Sequence, residues 1–225
     1  MTAALTALPL ARRTDVLSAV CALETATAPL PATAYRALAE ADLREVVTGL
    51  LAAAGRVLIP IGTRYTSGYD DQISDRLATE GVGVLLSGDR AVLTLVLLYS
   101  VAIPRAEGKV APEAPWTGGR PVSRERLRGT KVPNPVIKAA IQRLLDAGII
   151  RDVGPGLVPG PQFDRLTPAM SAALFEELVL LAEPDGILAD AIRRRRLARQ
   201  DALAPGSRLL GASTPETSAP RDATP

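Results

Sequence analysis

Between Ser123 and Arg151 the chain reads "SRERLRGTKVPNPVIKAAIQRLLDAGIIR". Arg124, Arg126, Arg128 and Lys131 crowd its start. Guanidinium and ammonium groups are donors without acceptors, suited to phosphate and carboxylate oxygens. Farther on, Ile137, Ala140, Ile141, Leu144 and Leu145 recur at helical spacing, which leaves Lys138, Gln142 and Arg143 on the opposite face. Lys138 and Gln142 stand one turn apart and can point the same way. Arg151 follows the helix stop at Gly148. The chemistry these types offer is recognition of an anion rather than the making or breaking of a covalent bond.

Catalytic chemistry finds little support elsewhere. The chain has no histidine, so the commonest proton-transfer and metal-ligating side chain is missing. Ser/His/Asp catalysis is impossible within the chain. The single cysteine, Cys21, can make neither an internal disulfide nor a multi-Cys metal site. No GxxxxGK[ST], GxSxG or paired-Cys pattern occurs. Neither enzyme activity nor a cofactor nor a metal is expected. Asp70, Asp71 and Asp75 lack the alternating spacing of a calcium loop and read as a polar turn and helix start. Cys21 shares a side with Leu17 and is expected in the core.

Charge is placed unevenly. The net charge is only +2. Residues 1–100 hold eight arginines against ten carboxylates, whereas residues 120–165 hold nine Lys/Arg against four. The basic excess thus coincides with the segment quoted above, where an anionic partner is expected. The N-terminal apolar run precedes Arg12 and Arg13, the wrong order for a secretory signal. Ala91–Ile103 is too short to span a bilayer and reads as a buried helix. Both points lead to an expected cytoplasmic, nucleoid-associated location with no membrane partner.

The elements that would position the basic segment follow from periodicity. Helices are predicted at Arg13–Thr25, near Thr33–Glu40, at Asp42–Ala54 and from Asp71 to Gly81. A strand over Arg56–Gly62 and a return over the following residues separate the last two. In the second half a buried helix is predicted over Asp89–Ala102. A long Pro/Gly loop follows, then a short helix at Ser123–Arg128 and a helix at Pro135–Ala147. Asn134 suits its N-cap and Gly148 its stop. A β-hairpin around Gly154-Pro155-Gly156 comes next, then helices at Pro168–Ala182 and Asp185–Gln200. Trp116, in the long loop, reads equally as a partner anchor or as a lid over a core. Arg193–Arg196 read as cations near a helix C-terminus, or as an electrostatic clamp. From Ala204 onward, Pro, Ser, Thr and Ala dominate, and a disordered tail is expected.

Each half therefore gives helix, short helix, longer helix, hairpin. That order, with "SRERLRG…NPVIKAAIQRLLDAGIIRDVG", resembles the winged helix-turn-helix superfamily. The resemblance implies a mainly α fold with small β-hairpins (α+β), as tandem winged helix-turn-helix domains. The expected organisation is 1–86, a protein-contact or dimerisation module, and 87–184, a DNA-binding candidate, then a basic helix at 185–203 and the tail at 204–225.

In a winged helix the third helix enters the major groove. The resemblance then implies double-stranded DNA as partner. Arg124, Arg126, Arg128, Lys131 and Arg151 would meet phosphates, and Lys138 and Gln142 base edges, with Arg143 able to serve either role. The corresponding face of the first half offers Asp42, Arg44, Glu45, Thr48 and Ala52, too acidic for phosphate, so a homodimer or protein contact is expected there. The leading expectation is a bacterial DNA-binding regulator or accessory factor. In size and tandem layout the chain is also similar to the kite subunits of SMC-type complexes. That similarity implies the alternative, an adaptor that binds protein partners, since kite subunits bind a kleisin chain and dimerise through winged helices.

Overall fold

The computed structural model describes residues 3–203, and the tail expected from Ala204 lies outside them. The first half begins with α1 (Ala3–Ala7) and α2 (Leu10–Thr25). Strand β1 (Leu30–Pro31), α3 (Arg36–Ala39) and α4 (Ala41–Ala53) follow. The hairpin of β2 (Arg56–Ile61) and β3 (Arg64–Tyr69) leads into α5 (Asp71–Thr79). Gly62, at φ +58°, turns the hairpin in a conformation that other residues rarely adopt. Sheet order is β1-β3-β2, so β2 is an edge and tolerates Pro60, which has no N–H to give a ladder. Val16, Ala19, Leu23, Leu38, Leu43, Val47 and Leu51 fill the core beneath.

The second half opens on α6 (Ser87–Leu97), which continues through a π-helical turn at Leu98–Ala102 into α7 (Ile103–Ala106). The predicted helix stops too early, because Pro104 widens this helix instead of ending it. Its length and apolar composition would suffice to cross a membrane. Val92, Val96 and Val101 along it are wholly buried against other elements. A 3₁₀ turn at Trp116–Gly118 precedes α8 (Arg124–Arg128) and α9 (Asn134–Asp146). Ser123 caps α8 by accepting from the Arg126 N–H at 3.2 Å. At α9 the structure differs from expectation: Pro133 precedes the helix, Asn134 is its first residue, and no side chain caps it.

The wing is β4 (Ile150–Asp152) paired with β5 (Leu157–Pro159). After a 3₁₀ turn at Pro161–Arg165 comes α10 (Pro168–Ala182), capped by Thr167. One core joins Val92, Leu127, Ile137, Ile141, Leu144 and Leu157. A smaller one joins Leu97, Val101, Trp116 and Leu178. Trp116 is thus a lid: its ring is buried, and its Nε1–H donates to Ser171 Oγ at 2.7 Å.

The two halves repeat one device. Leu30 pairs with Tyr65 on β3, and Val122 bridges to Leu157 on β5. In each case the segment ahead of the short helix joins the hairpin's second strand. Both halves are winged helices. Arg165 ties them, its guanidinium donating to the carbonyls of Ser67 and Ala26 at 2.9 and 2.6 Å. Thr167 Oγ1 donates to Asp71 Oδ1 at 2.6 Å. Gly68 lies directly against the Arg165 carbonyl, where a Cβ would come within 2.2 Å.

Two expectations fail on α2. Cys21 is exposed and Leu17 is about half exposed (49%), because the helix buries the stripe of Val16, Ala19 and Leu23 and turns Leu17 and Cys21 to solvent. The last helix, α11 (Ile187–Leu203), is described by itself. It runs beyond Gln200, so Arg193–Arg196 sit mid-helix, with no basic residue in the last turn. The dipole account of that run falls, and Arg193 instead pairs with Asp190 at 3.0 Å.

Candidate nucleic-acid interface

Helix α9 buries Ile137, Ala140, Ile141 and Leu144, as its periodicity predicts. This fixes Lys138, Gln142 and Arg143 on the exposed side. Among the described residues Lys138 has no hydrogen-bond or ion-pair partner, and it projects freely. Gln142 is engaged: its Nε2 donates to Asp146 Oδ1 at 2.8 Å. Arg143 is committed further. Its Nε and Nη2 fork onto the carboxylate of Asp89 at 3.0 and 2.6 Å.

Asp89 stands in the first turn of α6, with a side chain only 5% exposed. A carboxylate there needs a cation, since an unpaired buried charge is costly. The hydrogen bonds from Arg143 hold its carboxyl below the usual range against the opposing effect of burial. Arg143 therefore serves α6–α9 packing before it can serve a base edge.

The arginines ahead of α9 are also occupied. Arg124 reaches from α8 to the wing and pairs with Asp152 at 2.6 Å, holding that carboxyl low. Arg126 stacks over the Tyr99 ring at 4.1 Å, a cation–π arrangement. Arg128 pairs with Glu125 at 3.6 Å. On the wing, Arg151 turns toward the Trp116 loop and donates to the Thr117 carbonyl at 2.9 Å. Lys131, in the turn before α9, is exposed without a partner among the described residues. Exposed pairs of this kind are weak and can exchange a carboxylate for a phosphate. The fork on buried Asp89 is of another sort.

So the structure gathers Arg124, Arg126 and Arg128 on one short helix and sets Lys138 and Gln142 on the next. It directs Arg143 and Arg151 into contacts within the protein. The partners Asp89, Asp152 and Tyr99 lie outside the sequence expectation. Asp89 had a visible signal, an acid in the first turn of an otherwise apolar helix. Nothing in the sequence pairs Tyr99 with Arg126, because the long loop and the π turn set that distance.

The matching face of the first half is built differently. Arg44 on α4 donates to the Leu38 carbonyl at 2.8 Å and lies over the Tyr65 ring at 5.7 Å. Thr48 Oγ1 donates back to the Arg44 carbonyl at 2.9 Å. Asp42 and Glu45 remain exposed. Among the described residues no group of three or more His, Cys, Asp or Glu could hold a metal ion.

No family model and no curated protein matches the chain. Among solved structures it is similar to one titled ScpB from Mycobacterium tuberculosis, at 18% identity over 75% of this chain and 98% of that one, with a TM-score of 0.21. A score that low transfers neither residue roles nor activity from one chain to the other.

Proposed function

We propose that this chain is an adaptor built from two winged helices, acting through protein partners in the manner of the kite subunits it resembles in layout. One observation carries this reading. Of the positions that would read bases, Arg143 is held by buried Asp89, and Gln142 is bonded along the helix surface to Asp146. Discrimination between base pairs needs free, convergent donors and acceptors in the groove. Among the described residues, Lys138 is the member of that set without a partner. The acidic outer face of α4 supports the same reading, since exposed Asp42 and Glu45 would repel phosphate. The tie through Arg165 also fits, because an adaptor must present two surfaces at a constant angle.

DNA contact has a place in this reading, as a property of the α8 side. Arg124, Arg126, Arg128, Lys131 and Lys138 could neutralise phosphates without reading sequence. The test has two arms on the full chain. Selection from a randomised duplex pool should enrich no sequence, and titration with a kleisin-type chain from the same cell should give a stoichiometric complex by light scattering. A strongly enriched duplex together with no kleisin complex would return the chain to the regulator reading.

A further inference from the structure

One cleft lies beside the basic helix, and its construction begins at Pro104. A proline inside a helix has no N–H for the carbonyl four residues back, here that of Ser100. The helix widens at this point into the π turn of Leu98–Ala102. The freed Ser100 carbonyl accepts instead from the backbone N–H of Arg120, at 2.8 Å. Gly119 makes the approach possible, since a Cβ there would meet Ser100 Oγ at 2.3 Å. Two residues on, Val122 is fixed by paired backbone bonds with Leu157, both 2.9 Å. Arg120 is thus held between two backbone anchors. π turns of this kind recur at functional sites.

The cleft has a volume of about 320 Å³. Arg120, Arg126 and Lys109 line it, with Glu107 as its one carboxylate among the described residues. Lys109 and Glu107 pair at 2.7 Å. Arg120 has no side-chain partner among the described residues. Arg126 lies against the Tyr99 ring, which orients its guanidinium without using its hydrogen bonds. Three cations against one carboxylate leave the lining with a net charge of +2. Ile103, Pro104 and Pro121 supply apolar wall.

We propose that this cleft binds a small organic phosphate monoester. A monoester carries close to two negative charges at neutral pH, which matches the lining. Two guanidinium forks suit its oxygens, and the apolar wall suits the organic body. A phosphodiester carries a single charge and no terminal dianion, so the nucleic-acid backbone is the poorer occupant. The inference goes beyond the adaptor reading and stands apart from it, because it concerns Arg120 and the π turn rather than α9. It adds a regulatory consequence: a bound monoester engages Arg126, which is also a candidate phosphate contact of α8.

The test is calorimetric titration of the full chain with phenyl phosphate, inorganic phosphate and dimethyl phosphate at one ionic strength. Saturable one-site binding of phenyl phosphate is expected, tighter than that of inorganic phosphate and far tighter than that of the diester. Arg120→Ala and Arg126→Ala should each weaken it about tenfold or more, as expected for a lost charge-assisted hydrogen bond. Arg90→Ala, a surface arginine outside the cleft, should leave it unchanged. Circular dichroism establishes that each variant is folded, and Arg126→Ala decides the matter if Arg120→Ala is not. Absence of saturable binding would overturn the proposal. So would equal binding of the diester or of inorganic phosphate, or full affinity in both folded arginine variants.

Discussion

The two winged helices share a plan and differ in what they do with polar side chains. In the first, β2 and β3 pair over six positions each, and the outer face of α4 is quiet: Arg44 and Thr48 bond to backbone, leaving acids exposed. In the second, β4 and β5 pair over three, and the outer faces of α8 and α9 are dense with cations. Yet those cations are nearly all satisfied by carboxylates, a ring or a carbonyl of the same half. A basic segment on a winged-helix scaffold is not by that alone a surface that reads bases. What matters is which donors remain after the fold has used its own.

The two halves meet at Gly68. Gly68→Ala places a methyl within 2.2 Å of the Arg165 carbonyl and 2.6 Å of Ile59 Cδ1. Backbone cannot yield as a flexible side chain can, so a loss of about 3 kcal/mol is expected from overpacking, read by chemical denaturation. A wild-type midpoint in this variant would show that the contact between the halves is not tight.

Next come paired core truncations. Leu43→Ala in the first half and Leu144→Ala in the second both empty fully buried sites, at about 2–5 kcal/mol each. With Arg165, Gly68 and Thr167 joining the halves, each should lower one shared calorimetric transition. Two separated transitions, each sensitive to one variant, would mean that the halves are thermodynamically independent.

Asp89→Asn is a smaller and sharper probe. The folded carboxyl is held below its ordinary range by Arg143. Its contribution is therefore present above the unfolded-state pKa and is lost as pH falls through the folded one. The variant should be less stable at neutral pH and should lose less on acidification than the wild type, in melting temperatures measured from neutral pH down through the carboxylate range. An unchanged acid limb would mean that the pair does not hold α6 to α9.

Much of this architecture is legible in the residues. The stripes of α4 and α9 announce buried faces, and Gly148 marks the stop of α9. Helix α10 runs over the predicted Pro168–Ala182. Contacts set by tertiary distance are not legible. The periodicity of α2 does not say which of two overlapping stripes is buried, so Leu17 and Cys21 fall on the wrong side of the expectation. Pro104 reads as a helix end because the widened turn that accommodates it depends on Arg120, sixteen residues away. The candidate site shows the same division. Its cations are visible in the sequence, and their partners Asp89, Asp152 and Tyr99 belong to other elements.

Fluorescence anisotropy of the full chain on several unrelated duplexes shows whether α9 reads sequence. A salt series on wild type, Arg124→Ala/Arg126→Ala/Arg128→Ala and Lys138→Ala/Gln142→Ala separates phosphate contacts from base contacts. Similar weak affinities for all duplexes are expected, with a salt slope that falls by about one for each α8 arginine engaged and no change in preference on altering Lys138 and Gln142. Strong preference for one duplex, abolished by the Lys138/Gln142 variant at a difference of roughly 1–3 kcal/mol per base contact, would contradict this expectation.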